Sequence, residues 1–218
     1  MTFQTTTDHT EPLQHLADRV IELIDAHDAA GATVEANVTV ARTRHGLTRF
    51  ANSFIHQHVG EDTVTVTINA AVDGRSTSAS TTAVDDASLD DLVTRTLASA
   101  TLQPVDPFWP GAAPPQRIIG SSHIDDATAS SDPEVRASGV KAFVDADPTL
   151  RGAGFLDTET NWVAFASTAG HRASGGTSRA TIDGIHQTDT SAGSAHATSF
   201  RLAEIDAAAA GRRAADLA

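Results

Sequence analysis

The chain has 218 residues, 40% hydrophobic but only 5% aromatic, and it contains no cysteine. That length suits one large domain or two small ones with a core of Val, Ile, Leu and Ala, and the missing thiols exclude disulfides, thiolate metal ligands and thiol nucleophiles. Acidic residues outnumber basic ones by 28 to 15, for a net charge of -13; with no basic run beyond Arg42, Arg44 and Arg49 or the pair Arg212-Arg213, nucleic-acid binding is not expected.

The residues from Met1 to Glu11 are polar and lack the apolar core of a secretory signal. They read as a disordered tail. No stretch approaches the ~18–20 apolar residues of a membrane span, so the expected location is the cytoplasm. Pro12 suits a first helical turn. Leu13, Leu16, Ala17, Val20, Ile21 and Ile24 follow at helical spacing, which predicts a helix over 12–30.

The period then changes to two. Val34, Ala36, Val38 and Val40 alternate with polar residues as in a half-buried strand. His45-Gly46 reads as a tight turn, Thr48 to Val59 as a second strand and Thr63 to Val72 as a third. Asp73-Gly74 is a hairpin signal, and Thr77 to Thr82 forms a polar edge strand. Ser88 with Asp91 three residues on resembles a capping box. It precedes a helix with the apolar stripe Leu89, Leu92, Val93, Leu97 and Ala100.

Residues 102–131 have no periodicity and contain five prolines, among them Pro107 and Pro110 on either side of Phe108 and Trp109. A Pro-rich linker or long ordered loop is expected, with the aromatic pair packed onto a neighbour. Asp132-Pro133 marks a capped helix start, running to about Ala146. Strands follow at 151–159, 161–168, 176–187 and 192–200, with turns at Ala169-Gly170, Gly175-Gly176 and Ser191-Ala192-Gly193. An Ala-rich helix covers Leu202 to Ala218 and meets no Gly or Pro stop signal, which suggests a chain cut from a longer protein. The fold class is α+β: antiparallel β-meanders with packed helices. The order helix, meander, helix occurs in 12–101 and again in 132–218, as in two similar halves.

Few residues carry recognisable chemistry. His56 and His58 share a strand face and are the best metal candidates, but the third and fourth ligands are missing, and Glu61 and Asp62 fall beyond the expected turn. Asp85-Asp86 and Asp90-Asp91 complement a helix dipole. Asp145, Asp147, Asp157 and Glu159 read as solvated element ends. There is no Gly-x-Ser-x-Gly elbow, no Walker loop, no Gly-x-Gly-x-x-Gly, and neither His-Glu-x-x-His nor His-Glu-x-x-x-His.

The segment from Gly46 to Gln57, which includes Arg49, Phe50, Asn52, Ser53, His56 and Gln57, resembles the TRFANS-x-IHQ stretch of the TldD/PmbA family, also called modulators of DNA gyrase. Asn161 to Gly170 stands where that family has an N-S-x-G turn, although Ser167-Thr168-Ala169-Gly170 departs from the pattern. The stretch Thr188 to Ser199 and the Ala-rich helix from Leu202 are similar as well, so the resemblance covers nearly all of residues 12–218. It implies an amino-terminal α+β domain followed by a larger β-rich domain outside this chain. It also implies a cytoplasmic peptidase for unfolded or modified peptides, linked to microcin maturation and antitoxin degradation. TldD-type subunits of the family hold zinc on a His-Glu-x-x-x-His helix that follows the Ala-rich helix; PmbA-type subunits lack it and pair with the zinc subunit. No catalytic residue and no metal ligand therefore carries over to this chain, and zinc is expected only in an assembly that contains a TldD-type subunit. The implied role is a substrate-shaping or assembly domain in a homo- or hetero-oligomer, with Arg49, Phe50, Asn52, Ser53, His56 and Gln57 as motif or peptide-groove residues. The other reading is a non-enzymatic interaction module acting on a toxin–antitoxin or gyrase partner.

Overall fold

The computed structural model describes residues 9–27, 33–116, 118 and 122–218. Its helices are α1 (Glu11–His27), α2 (Asp86–Thr101), α3 (Asp126–Ala129), α4 (Pro133–Val144) and α5 (Ala207–Asp216); its strands are β1 (Val34–Ala51), β2 (Phe54–Val72), β3 (Arg75–Thr81), β4 (Ser122–His123), β5 (Arg151–Ser167), β6 (Arg172–Gln187) and β7 (Ala192–Ser199). The strands form an antiparallel sheet in the order β3-β2-β1-β5-β6-β4, with β7 also paired to β6. The fold is therefore α+β. Among the described residues no helix is long and apolar enough to cross a membrane.

The strands are longer than local signals suggest. β1 runs straight through His45-Gly46 in one phase: Ala36, Val38 and Val40 are buried and, after the half-buried Arg42 and the exposed Arg44, so are Gly46, Thr48 and Phe50. The turn comes instead at Asn52 and Ser53, both at positive φ, 51° and 63°, the left-handed pair that a two-residue hairpin needs. β2 then continues through 59–63 as one strand, so Glu61 and Asp62 share a strand with His56 and His58. Likewise β5 joins the two strands expected at 151–159 and 161–168, and Gly175-Gly176 lies inside β6, whose even positions from Ser178 to His186 stay inward. Asp73-Gly74 does turn the chain, at φ 48° and 73°, and Gly170 turns it at φ 92°.

Two compact units are drawn from the chain: Met1–Arg42, Thr63–Ser122 and Trp162–Gly176 form the first, and Thr43–Asp62, His123–Asn161 and Thr177–Ala218 the second. The halves 12–101 and 132–218 divide the sequence; these units divide the fold, and each takes three separate stretches. In the first unit α1 buries Leu13, Ala17, Val20, Ile21 and Ile24, the stripe read from the sequence. The residues 28–30 expected to complete that helix lie outside the described residues, as do 1–8 of the expected tail. α2 starts one turn earlier than expected. Its cap is Asp85, whose carboxylate accepts from both the N–H and the hydroxyl of Ser88 and is held below its ordinary value by those bonds. Ser88 is thus the capped residue rather than the cap. Within the expected linker 102–131 lie β4 and α3. Trp109 packs as expected, whereas Phe108 is 88% exposed.

In the second unit the core is Phe50, Val140, Phe143, Leu156, Ile182, Ala195, Ala207, Ala210 and Ala214. Phe50 and Phe143 meet with ring centroids 5.5 Å apart, tilted by 58°, a favourable edge-biased geometry. α4 is capped by Asp132 with Pro133 in its first turn, as expected. The last helix does not start at Leu202: a 3-10 turn, Leu202–Glu204, precedes α5, which Asp206 caps through the Ala209 N–H at 2.8 Å.

Candidate functional site

The second unit holds a cleft of about 370 Å³ whose lining includes Arg44, His45, His58, Ser131, Arg136 and Thr158 and the acids Glu61, Asp62 and Asp132. Its size falls in the range of small-ligand sites. Each element brings one part of it. β1 supplies Arg44 and Gly46, β2 supplies His58, β5 supplies Thr158, and the capped start of α4 supplies Arg136.

Arg136 is 3% exposed. Its guanidinium lies against the bare backbone of Gly46, where a Cβ would fall 2.5 Å from Nη1 and 2.8 Å from Nη2. Four hydrogen bonds leave it, all to neutral acceptors: the Ser131 carbonyl at 3.2 Å, the Ser131 hydroxyl at 3.3 Å, the Thr158 hydroxyl at 3.2 Å and His58 Nε2 at 3.4 Å. Its Nε is buried with no hydrogen-bond partner among the described residues. Asp132, the nearest acid along the chain, uses its carboxylate on the Val135 N–H at 3.0 Å. Burial draws the Arg136 pKa down; Asp132 and Glu134 oppose this and the neighbouring Arg44 adds to it. An arginine keeps its charge even so.

The contacts of His58 fix its tautomer. An arginine N–H only donates, so Nε2 accepts and Nδ1 carries the proton, which it donates to the Thr48 hydroxyl at 3.1 Å. Nearby, His45 Nε2 lies 3.5 Å from Asp157, which Arg179 also approaches at 3.7 Å.

The first unit has a second feature at the sheet edge. Asp73-Gly74 closes the β2–β3 hairpin at the pair Val72–Arg75, and the register continues through Ala70–Thr77, Ile68–Ala79 and Val66–Thr81. The pair that closes a two-residue hairpin is a bonded one, and bonded pairs recur every second residue. The backbone groups of Ser76, Ser78 and Ser80 therefore point outward from the last strand of the sheet. A groove of about 260 Å³ lies there, between Thr77–Ser80 of β3 and Leu92, Arg95, Thr96 and Ser99 of α2. A further cavity of about 270 Å³ lies under the 109–113 loop. Glu35 ties this loop down by accepting from the Trp109 indole and the Ala112 N–H, both at 2.6 Å.

A serine–histidine contact in the same unit is not a nucleophile pair. His171 Nε2 accepts from the Gln116 N–H at 3.2 Å, so its Nδ1 donates to Ser167 Oγ at 3.0 Å. An imidazole that donates to the hydroxyl cannot take the hydroxyl proton.

Of the residues singled out in the sequence, Phe50 is in the core at 1% exposure. Asn52 and Ser53 form the turn, where Ser53 bonds Gly152 through both backbone and side chain. Arg49 reaches Gln57 across the hairpin at 3.5 Å. His56 and His58 are both exposed, and of the two His58 lines the cleft. Among the described residues no group of three or more His, Asp or Glu side chains is placed to hold a metal. His56 and His58 thus gain no further ligand from Glu61 or Asp62, and these residues do not fit a zinc site. Sequence reasoning passed over Arg136 and Thr158. The available signal was an arginine in the first turn of a helix, at the positive end of its dipole.

The fold with these features is that of a known group of solved structures. No protein-family model and no curated protein matches the sequence. The chain is similar in structure to a candidate modulator of a DNA gyrase from Thermotoga maritima, with TM-score 0.71 and 14% identity over 94% of this chain and 47% of the other. It is similar to a candidate modulator of DNA gyrase from Bacteroides thetaiotaomicron, with TM-score 0.75 and 13% identity over 95% of this chain and 49% of the other. It is similar as well to TldE from Thermococcus kodakarensis, with TM-score 0.67 and 14% identity over 94% of this chain and 46% of the other. The chain therefore spans about half the length of the structures it matches, and it shares their fold.

Proposed function

We propose that this chain is the amino-terminal part of a TldD/PmbA-type metallopeptidase subunit, and that it holds peptide without cutting it. The observation that carries this reading is the likeness to gyrase-modulator and TldE structures over 94–95% of the chain. The Gly46–Gln57 motif agrees with it, and its residues build the β1–β2 hairpin. The edge of β3 supports the peptide-holding half of the reading. An extended peptide can continue a sheet at a free edge, with backbone bonds supplying affinity and adjacent pockets selecting side chains. The outward backbone of Ser76, Ser78 and Ser80 and the groove under α2 offer both.

In this reading the metal-activated water comes from a TldD-type subunit, and this chain contributes shape and strand pairing. The test is to incubate the purified chain with fluorescent unfolded peptides, with and without zinc, following anisotropy and, by mass spectrometry, cleavage. Binding without cleavage is the expected result. Cleavage that a chelator abolishes, and that His56→Ala or His58→Ala removes, would overturn the non-catalytic reading.

A further inference from the structure

We infer that the cleft over Arg136 is a binding site for a singly charged carboxylate. Buried cations are ordinarily paired, because removing the charge from water is costly. Arg136 is buried, yet every acceptor it reaches is neutral. The bonds are unevenly distributed over the guanidinium. Nη1 is crowded, with three acceptors for two protons. Among the described residues Nη2 has one long contact, to His58 at 3.4 Å, and Nε has none. Nε and Nη2 share one edge of the guanidinium, the fork that matches the two oxygens of a carboxylate.

His58 is the side chain that gives way. It is exposed at the mouth of the cleft, and its bond to Nη2 is weak and neutral. A carboxylate oxygen forms a shorter, charge-assisted bond to the same N–H. Arg44 adds a second cation to the cleft, close enough to depress the ionisation of Arg136. Two guanidiniums in one cleft repel each other; Asp132 and Glu134 offset this for Arg136, and an anion bound between the two guanidiniums offsets it further. Glu61, Asp62 and Asp132, which line the same cleft, set the upper limit on charge: they repel a phosphate dianion more strongly than a carboxylate. The ligand is a peptide carboxyl terminus or a small organic acid. The inference does not depend on the peptide-holding role of β3, which lies in the other unit.

The experiment titrates the ¹⁵N-labelled chain with N-acetyl-alanyl-alanine, its carboxamide, acetate and inorganic phosphate. The readouts are the arginine Nε–H resonance that Arg136→Lys removes and the backbone amides of Ser131 and Thr158. The expected result is a saturable shift with the free acid, a dissociation constant of about 1 mM or tighter, and no shift with the carboxamide. Acetate binding about tenfold weaker than the free acid assigns the site to a peptide end; equal binding assigns it to a small acid. Arg44→Ala, at an exposed position and compared with the parent chain in thermal unfolding, weakens the free acid several-fold, and Arg136→Lys weakens it about tenfold. Equal shifts with acid and carboxamide, no shift at all, tighter binding of phosphate, or indifference to Arg44→Ala would each overturn the inference.

Discussion

Gly211 sits inside α5, where glycine is a poor residue. On helix propensity alone, Gly211→Ala stabilises the chain by about 1 kcal/mol. The packing predicts the reverse. α5 crosses α4 so closely that a Cβ on Gly211 would lie 2.3 Å from the Phe143 carbonyl oxygen and 2.8 Å from the Ala146 Cβ. The first contact is with backbone, so no rotamer change relieves it and the helices must separate. Overpacking of this kind costs typically 1–3 kcal/mol, and a rigid backbone contact belongs at the upper end. After the gain in helix propensity, the net loss is about 1–2 kcal/mol, or roughly 2–8 °C in Tm for a chain of this size. Gly60 is the internal control. It lies in β2 with nothing among the described residues within 4 Å of the site of a Cβ, so Gly60→Ala is neutral or stabilises by up to about 1 kcal/mol through the unfolded chain. Thermal and urea unfolding of the two variants beside the parent chain measure the difference. If Gly211→Ala proves as stable as Gly60→Ala, α4 and α5 are not packed backbone to backbone, and the reasoning fails.

Glu35 is held below its ordinary value of 4.5, chiefly by the Ala112 N–H and then by the Trp109 indole. A depressed carboxylate stabilises above its unfolded value and loses that contribution as pH falls through the folded one. The 109–113 loop should therefore loosen only below about pH 4.5, seen as a change in Trp109 fluorescence that Glu35→Gln removes; a transition that persists in Glu35→Gln would assign it to another group. In β3, Ser78→Pro removes an outward N–H and should keep the fold while weakening peptide binding about tenfold. Thr77→Pro removes a ladder bond to Ala70 and should unfold the hairpin, so equal melting temperatures for the two would refute the assigned bonding phase. Asp206→Ala removes the α5 cap and should cost about 1 kcal/mol in urea unfolding; no loss would mean that the 3-10 turn before it fixes the helix start.

What the sequence disclosed was local. Asp132-Pro133 and Asp73-Gly74 specify their own conformations, and the stripe of α1 appears at its own period. Strand ends were less legible, because Asn52 and Ser53 are not glycines and a left-handed pair of such residues is uncommon. The α2 cap was displaced by a turn because Asp85 and Ser88 both suit that role, and only the observed bonds select between them. The cleft was hidden for a different reason. Arg136, Thr158, His58 and Gly46 come from four elements, and no spacing along the chain announces that they meet. The edge of β3 lay between these cases: its polar alternation was visible, and the free backbone followed once the hairpin register was known.

The slot for Arg136 at Gly46 also constrains how sequences of this fold can vary. Any side chain at position 46 would occupy the place of the guanidinium. A relative that carries alanine or a larger residue there should lack an arginine at the position equivalent to 136, and one that keeps the arginine should keep the glycine. The two positions lie on different elements, so the pairing is a test that an alignment alone can perform. Relatives that break it in either direction would show that the arginine can be housed in another way.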